Sequence, residues 1–317
     1  MRILVTGGAG FIGSHLVDRL IGEGHDITVI DDLSVGKIEN VAHHLDSERF
    51  HFICDSILNE TTLERLIRKS EQVYHMAAVV GVKYVVEDPL KGMLTNVRGT
   101  ENVLTLARKY WVPVVVASSS EVYGKSSAVP WSEEDDRLLG PTSVGRWSYA
   151  DSKALDEYMG FAYARQGLPV VAVRYFNAYG PRLDPRGYGS VIAKFITQAR
   201  EGGPLTVYGD GQQSRCFTYV SDTVEGTIRA AQAPQATGLA FNIGSDRETR
   251  IIELAEVIRR QVNPGARIEH VPFERAFGVA FEDVPRRVPD VERAARVLGF
   301  RASVPLEQGL EQTIKDL

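Results

Sequence analysis

Cysteine is nearly absent from these 317 residues, with only Cys54 and Cys216 present. The two stand far apart and show no metal-type spacing, which argues against a disulfide framework or a small zinc module. Long apolar runs are missing too. None approaches the ~20 residues of a membrane span. Positive charge is not in excess, since 36 Lys and Arg face 41 Asp and Glu for a formal net charge of −5. That balance disfavours a nucleic-acid partner. The seven histidines show no ligand pattern, and the adjacent His43 and His44 read as solvated residues of a polar stretch. No metal is therefore expected. Repeats, low-complexity tracts and a secretory leader are also lacking. What remains is ordinary globular composition, 44% hydrophobic and 24% charged, suited to a reducing cytoplasm.

Residues 2–6, 26–30, 50–54, 72–76, 112–117 and 170–174 read as short buried strands. Helical periodicity falls between them at 14–23, 61–69 and 96–110, and a further helix carries Tyr149 and Lys153. Strands alternating with helices predict a doubly wound parallel α/β sheet covered on both faces. After Arg174 the pattern changes. Residues 177–189 are rich in Gly, Pro and Arg, followed by a helix at 191–201 and strands at 205–208 and 241–244. An amphipathic helix at 251–261 comes next, then a polar tail. The expected division is a dinucleotide-binding domain over 1–175, with about 216–245 returning to it. A smaller, interleaved C-terminal substrate domain takes 176–215 and 246–317.

Gly7 to Gly13 joins a strand to a helix, and Gly8, Gly10 and Gly13 satisfy G-x-G-x-x-G. Such glycines let a pyrophosphate approach the backbone at a helix N-terminus. Asp31 follows about 20 residues on, at the end of the second strand. A carboxylate there binds ribose hydroxyls and repels a 2′-phosphate, so NAD is expected over NADP. Asp32 beside it is either a second contact or a turn residue. Ala117-Ser-Ser-Ser-Glu-Val-Tyr-Gly124 closes the fifth strand, where open parallel sheets bind ligands. Glu121 stands there either as a second base or as a cap of the next segment. Tyr149 and Lys153 are spaced i, i+4, one helical turn apart on one face. Either they are a solvated pair, or the ammonium lowers the pKa of a phenol that must act as a base.

Together these motifs, with His75-Met-Ala-Ala78 and Arg174-Tyr-Phe-Asn-Ala-Tyr-Gly-Pro-Arg182, resemble the extended short-chain dehydrogenase/reductases. That family comprises nucleotide-sugar epimerases, dehydratases and decarboxylases on a Rossmann fold, and the likeness covers essentially the whole chain. The resemblance implies Tyr149 as base, Lys153 on the nicotinamide ribose, Ser119 on the reacting hydroxyl and Glu121 beside them. It implies a cofactor site of Gly7, Gly10, Phe11, Ile12, Gly13, Asp31, Asp32, Asp55, Ala77 and Asn96. It implies a UDP-sugar site of Ser120, Arg146, Asn177, Arg182, Leu205, Val207, Arg215 and Arg287. A homodimer through the helices near 96–110 and 149–165 is implied as well.

The family's chemistry is keto activation. Oxidation at the sugar's 4-position acidifies the 5-position and makes a 5-carboxylate a β-keto acid. Ser-Glu-Val-Tyr-Gly, Arg146-Trp-Ser-Tyr149, Gly180-Pro-Arg-Leu-Asp184 and Arg287-Val-Pro289 resemble the UDP-glucuronate decarboxylases. In that family the arginine faces the sugar carboxylate, which a guanidinium suits through paired hydrogen bonds. The alternative for Arg286 and Arg287 is a surface or diphosphate contact. Gly81-Val-Lys-Tyr84 and Glu87-Asp-Pro89 resemble the simple 4-epimerases instead, which makes a UDP-sugar 4-epimerase the runner-up. Ser120 stands where 4,6-dehydratases carry an acid, which disfavours that reaction. A non-catalytic nucleotide-sugar sensor would be expected to have lost Ser119, Tyr149 or Lys153.

Overall fold

The computed structural model describes residues 1–80, 89–184, 191–272, 275 and 284–317. The chain opens with β1 (Arg2–Thr6), α1 (Phe11–Gly22), β2 (Asp26–Asp31), β3 (Phe50–Cys54), α2 (Glu60–Ile67) and β4 (Gln72–His75). It continues with α3 (Pro89–Tyr110), β5 (Val114–Ser119), α4 (Trp147–Arg165) and β6 (Val170–Tyr175). Then come β7 (Ala178–Tyr179), α5 (Val191–Arg200), β8 (Leu205–Tyr208), β9 (Ser214–Cys216), β10 (Thr218–Tyr219), α6 (Val220–Gln232) and β11 (Ala240–Ile243). The last elements are β12 (Glu248–Arg250), α7 (Ile251–Val262), β13 (Ile268–Val271), β14 (Arg286–Arg287) and α8 (Leu306–Asp316).

A seven-stranded sheet runs β11-β6-β5-β4-β1-β2-β3, and all its pairings are parallel. This is a Rossmann-like doubly wound α/β fold. Alternation along each strand feeds two cores. Ile3, Val5 and Val29 face Leu16 and Val17 of α1 and Val224 and Ile228 of α6. Leu4, Ile30, Val73 and Val116 face Leu63 and Ile67 of α2 and Val103 and Leu104 of α3. Each such side chain contributes about 1.5–3 kcal/mol on burial. The strand order reverses between β1 and β4, which opens a crevice at their carboxyl ends. The glycine loop leaves β1 at that crevice.

Outside the main sheet, β8 pairs with β13, and β9 lies between β12 and β14. Phe195, Ile196, Leu205, Val207, Leu254, Ile258 and Leu310 form a separate core there. α3 starts at Pro89 rather than at residue 96. Proline is tolerated at a helix start, where its missing N–H has no partner to lose. Leu90, Met93 and Leu94 in those first turns are exposed, so no buried periodicity marked them in the sequence. The epimerase-like segments at 81–84 and 87–88 lie outside the described residues. Among those residues, no helix is long and apolar enough to cross a membrane.

Candidate active site

The glycine loop is built by close approach of backbones. Gly7 has φ +68°, and a Cβ there would stand 2.7 Å from the Ala77 Cα. A Cβ on Gly13 would run into the Gly7 carbonyl oxygen. Gly10 caps α1 and donates its N–H to the Gly7 carbonyl at 3.1 Å. The first N–H groups of α1, from Phe11 and Ile12 onward, are left for a ligand anion. Asp31 is buried at the end of β2, where its carboxylate accepts from Ala9 N at 3.0 Å and Leu33 N at 2.9 Å. Burial pushes its pKa up despite these bonds. Asp32 accepts from Ser34 N at 3.0 Å, the bond of a turn residue. Asp55 binds Ser56 N and the Asn59 amide, each at 2.8 Å. Ala77 N donates to Thr6 Oγ1 at 3.1 Å, and Asn96 Oδ1 accepts from Val79 N at 2.7 Å. Asn96 therefore pins the strand exit, and its amide also reaches Ser152 Oγ at 3.3 Å.

Ser119 ends β5, and its hydroxyl pairs with the side chain of Tyr149 on α4. Burial pushes the Tyr149 pKa well above its ordinary value, and the Glu121 carboxylate adds to the rise. The expected lowering by Lys153 is not what the structure shows. The Lys153 ammonium, almost fully buried, donates to Asp156 Oδ2 at 3.0 Å. Desolvation of the phenol outweighs a cation whose charge is compensated by its own carboxylate.

Four charged residues from distant parts of the chain meet beside this pair. Glu121 is ion-paired with Arg287, and Arg146 stands 3.8 Å from its other oxygen. Arg215 is near enough to be felt. Burial alone would raise the Glu121 pKa, but the three guanidinium groups hold it below the usual carboxylate range. β14 pairs in parallel with β9, which sets Arg287 directly beside Arg215 in register. Arg286, in contrast, turns outward to Glu248, its Nη2 and Oε2 2.7 Å apart. Ser120 is buried next to Glu121.

The remaining expected ligand residues make the following contacts. Leu205 and Val207 are fully buried in the core of α5, α7 and α8. Their side chains do not line a substrate surface, because alternate positions of β8 point inward. Arg182 turns to Asp18 of α1, with Nη2 to Oδ2 at 2.6 Å, instead of facing the arginine cluster. Asn177, at φ +37°, donates to the Cys216 carbonyl at 3.4 Å. His43 and His44 are not simply solvated. Both ring Nε2 atoms lie 2.8 Å from one Asp18 oxygen, brought there by the fold across 25 and 26 residues. These three side chains are spaced as metal ligands could be, and Arg182 occupies the second oxygen of the same carboxylate.

A buried polar network behind Ser119 was not read from the sequence. Ser118 donates to Glu157 Oε1 at 2.5 Å, and Arg174 grips the same carboxylate at 2.8 and 2.6 Å. Arg174 also donates to Tyr123 OH at 2.9 Å, which in turn donates to Asn242 Oδ1 at 2.6 Å. This joins β5, α4, β6 and β11 beneath the site. The available signal was the adjacent acids Asp156 and Glu157, three and four residues after Lys153, on a helix face otherwise destined for the core.

The chain is similar to known proteins along nearly its whole length. Residues 4–313 match the family described as GDP-mannose 4,6 dehydratase. The chain is 46% identical to the UDP-N-acetyl-alpha-D-glucosaminuronate decarboxylase of Bacillus cytotoxicus, over 99% of this chain and 97% of that one. It is 38% identical to UDP-glucuronic acid decarboxylase 1 of Xenopus tropicalis, over 99% of this chain and 71% of that one. The solved UDP-glucuronic acid 4-epimerase of Bacillus cereus, in complex with UDP-glucuronic acid and NAD, has a TM-score of 0.87 at 29% identity. That alignment covers 99% of this chain and 98% of the epimerase. With likeness running from β1 to α8, this chain belongs to the GDP-mannose 4,6 dehydratase family, among the extended short-chain dehydrogenase/reductases.

Proposed function

We propose that the protein is an NAD-dependent nucleotide-sugar decarboxylase acting on a UDP-linked uronate of the glucuronate type. The observation that carries this reading is the Arg287–Glu121 pair, flanked by Arg146 and Arg215, next to Tyr149 and Ser119. Arg287 also keeps its Nε buried without a partner, an N–H suited to a carboxylate oxygen. The glycine loop fits NAD, since Gly7 and Gly13 let backbone pack on backbone in the tight turn that presents the α1 N-terminus to a pyrophosphate. Held by the glycine loop and Asp31, NAD would supply a hydride acceptor for the sugar's C4 and the hydride returned at the end. Tyr149, raised by burial in the structure, takes the 4-hydroxyl proton as the phenolate, a form that a cationic nicotinamide ring would favour, while Ser119 holds that hydroxyl in place. The C5–carboxylate bond then breaks, CO2 leaves, and the electron pair passes into the 4-keto group. Arg287 orients the carboxylate before it departs. A substrate carboxylate beside Glu121 raises that residue's pKa by like-charge repulsion, which suits it to return a proton to C5.

Residues 176–215 and 246–317 form the substrate side, and 1–175 with about 216–245 the cofactor side. Asp31, Asp32, Asp55, Ala77 and Asn96 belong to the cofactor side. Ser120, Arg146, Asn177, Arg215 and Arg287 serve the nucleotide sugar. The protein is cytoplasmic and a homodimer. Exposed Leu90, Met93 and Leu94 of α3 and Leu155 and Tyr158 of α4 support a contact between two copies. The test is to incubate it with UDP-glucuronate and with UDP-N-acetylglucosaminuronate and follow CO2. Release from either supports decarboxylation. UDP-galacturonate formed without CO2 replaces it with the second reading, a 4-epimerase, which the Bacillus cereus neighbour favours.

A further inference from the structure

We infer that Asp156 is a positioning residue for the oxidising pair, holding Lys153 charged and aimed so that its remaining N–H groups face Tyr149 and the cofactor ribose. This rests on the proposed roles of Tyr149 and Lys153. Tyr149, Lys153 and Asp156 are spaced i, i+4, i+7 and form one inward stripe of α4. Lys153 is 2% exposed and Asp156 is fully buried. A buried ammonium needs a compensating charge and a hydrogen-bond acceptor beside it. Asp156 supplies that charge at 3.0 Å. An ammonium has three donors, so one bond to Asp156 leaves two for other partners.

Asp156 is itself held from the far side. The Thr100 hydroxyl of α3 faces its carboxylate, without closing on Oδ1, which has no hydrogen-bond partner. Thr100 Oγ1 lies 3.0 Å from His75 Nε2, and His75 Nδ1 lies 2.8 Å from Thr6 Oγ1. Thr6 in turn accepts from Ala77 N. One arrangement of protons directs this chain toward Asp156. The Thr6 hydroxyl donates to His75 Nδ1, His75 Nε2–H donates to Thr100, and the Thr100 proton points at Asp156. A neutral imidazole meets that requirement, and burial with Lys153 nearby pushes the His75 pKa down to about 3. The chain links the strand that feeds the glycine loop to the catalytic helix. Other groups facing the pair are Glu121, on the segment after β5, and Glu157 of α4 itself. Glu121 is compensated by Arg287 and Arg146, and Glu157 by Arg174.

Removing Asp156 takes away a carboxylate that disfavours the Tyr149 phenolate and leaves the Lys153 ammonium without its anchor. Asp156→Asn is expected to shift the limb of the kcat profile for CO2 release that Tyr149 sets toward acid by about one pH unit, with little change in KM. A profile superimposed on that of the wild type would overturn the proposal. Thermal melting gives a second reading that needs no turnover. Lys153→Met strands a buried carboxylate and should lower the melting temperature, and adding Asp156→Asn should restore much of the loss. A double variant no more stable than Lys153→Met would also overturn it. If neither uronate is turned over, the melting cycle still decides the pair, which separates this inference from the proposed reaction.

Discussion

The two ends of the site are built in opposite ways. At the cofactor end, backbone does most of the holding. Gly7, Gly10 and Gly13 stand within one short segment, and their task is to be small and to let N–H groups face a ligand. At the sugar end, side-chain charge does it. Glu121, Arg146, Arg215 and Arg287 come from four separate segments and meet only because β14 pairs with β9 beside the end of β5. A backbone cradle is specific for a shape that many relatives share. A charge cluster is specific for one substituent and can be retuned by single substitutions. In the proposed reaction the first end would serve the oxidation of the sugar, and the second would decide what becomes of the ketone.

The sharpest test of this contrast is Tyr149→Phe. Turnover should fall about 10³-fold, within the range for loss of a positioned acid–base group, while NAD binding measured by fluorescence stays unchanged. Next comes Arg287→Ala, which breaks a buried charge pair. Affinity for a UDP-uronate should fall about 30-fold or more, equivalent to ~2 kcal/mol or more. Affinity for UDP-glucose should fall far less. Equal losses on both ligands, in paired calorimetric titrations, would erase the division between the two ends. Gly13→Ala should cost about 1–3 kcal/mol of stability through overpacking against Gly7, and should release NAD. A variant that melts like the wild type and retains NAD would show that the cradle is looser than its geometry.

A further effect, read as a pH dependence of stability, concerns His75. Burial pushes its folded pKa down to about 3, from the ordinary histidine value of about 6.5. Between those values the unfolded chain binds a proton that the folded chain refuses. Stability therefore falls as pH drops from about 6.5 toward 3, by at most ~1.4 kcal/mol per pH unit. His75→Gln should flatten that slope in melts recorded across the window. An unchanged slope would place the acid sensitivity in other groups.

Much of this protein was legible from local pattern. The glycine loop, Asp31 at the end of β2 and the i, i+4 spacing of Tyr149 and Lys153 each lie within a single element or turn. Their geometry follows from strand, turn and helix periods that the sequence states directly. Short range was also where reading stopped. Leu205 and Val207 belong to a strand in either view, but which face of β8 turns inward depends on α5 and α7, which pack against it. Arg182 and Arg287 are the same residue type in similar surroundings of sequence. One is drawn to Asp18 of α1 and the other to Glu121. Lys153 could reach back one turn to Tyr149 or forward to Asp156, and in a buried site the carboxylate holds it. By itself, the sequence determined an NAD-type α/β scaffold with Tyr149 and Lys153 one turn apart on a helix, because contiguous residues set those features. Only tertiary structure decided how the buried charges pair, because a charge withdrawn from water takes the nearest compensating group, and that neighbour lies far along the chain.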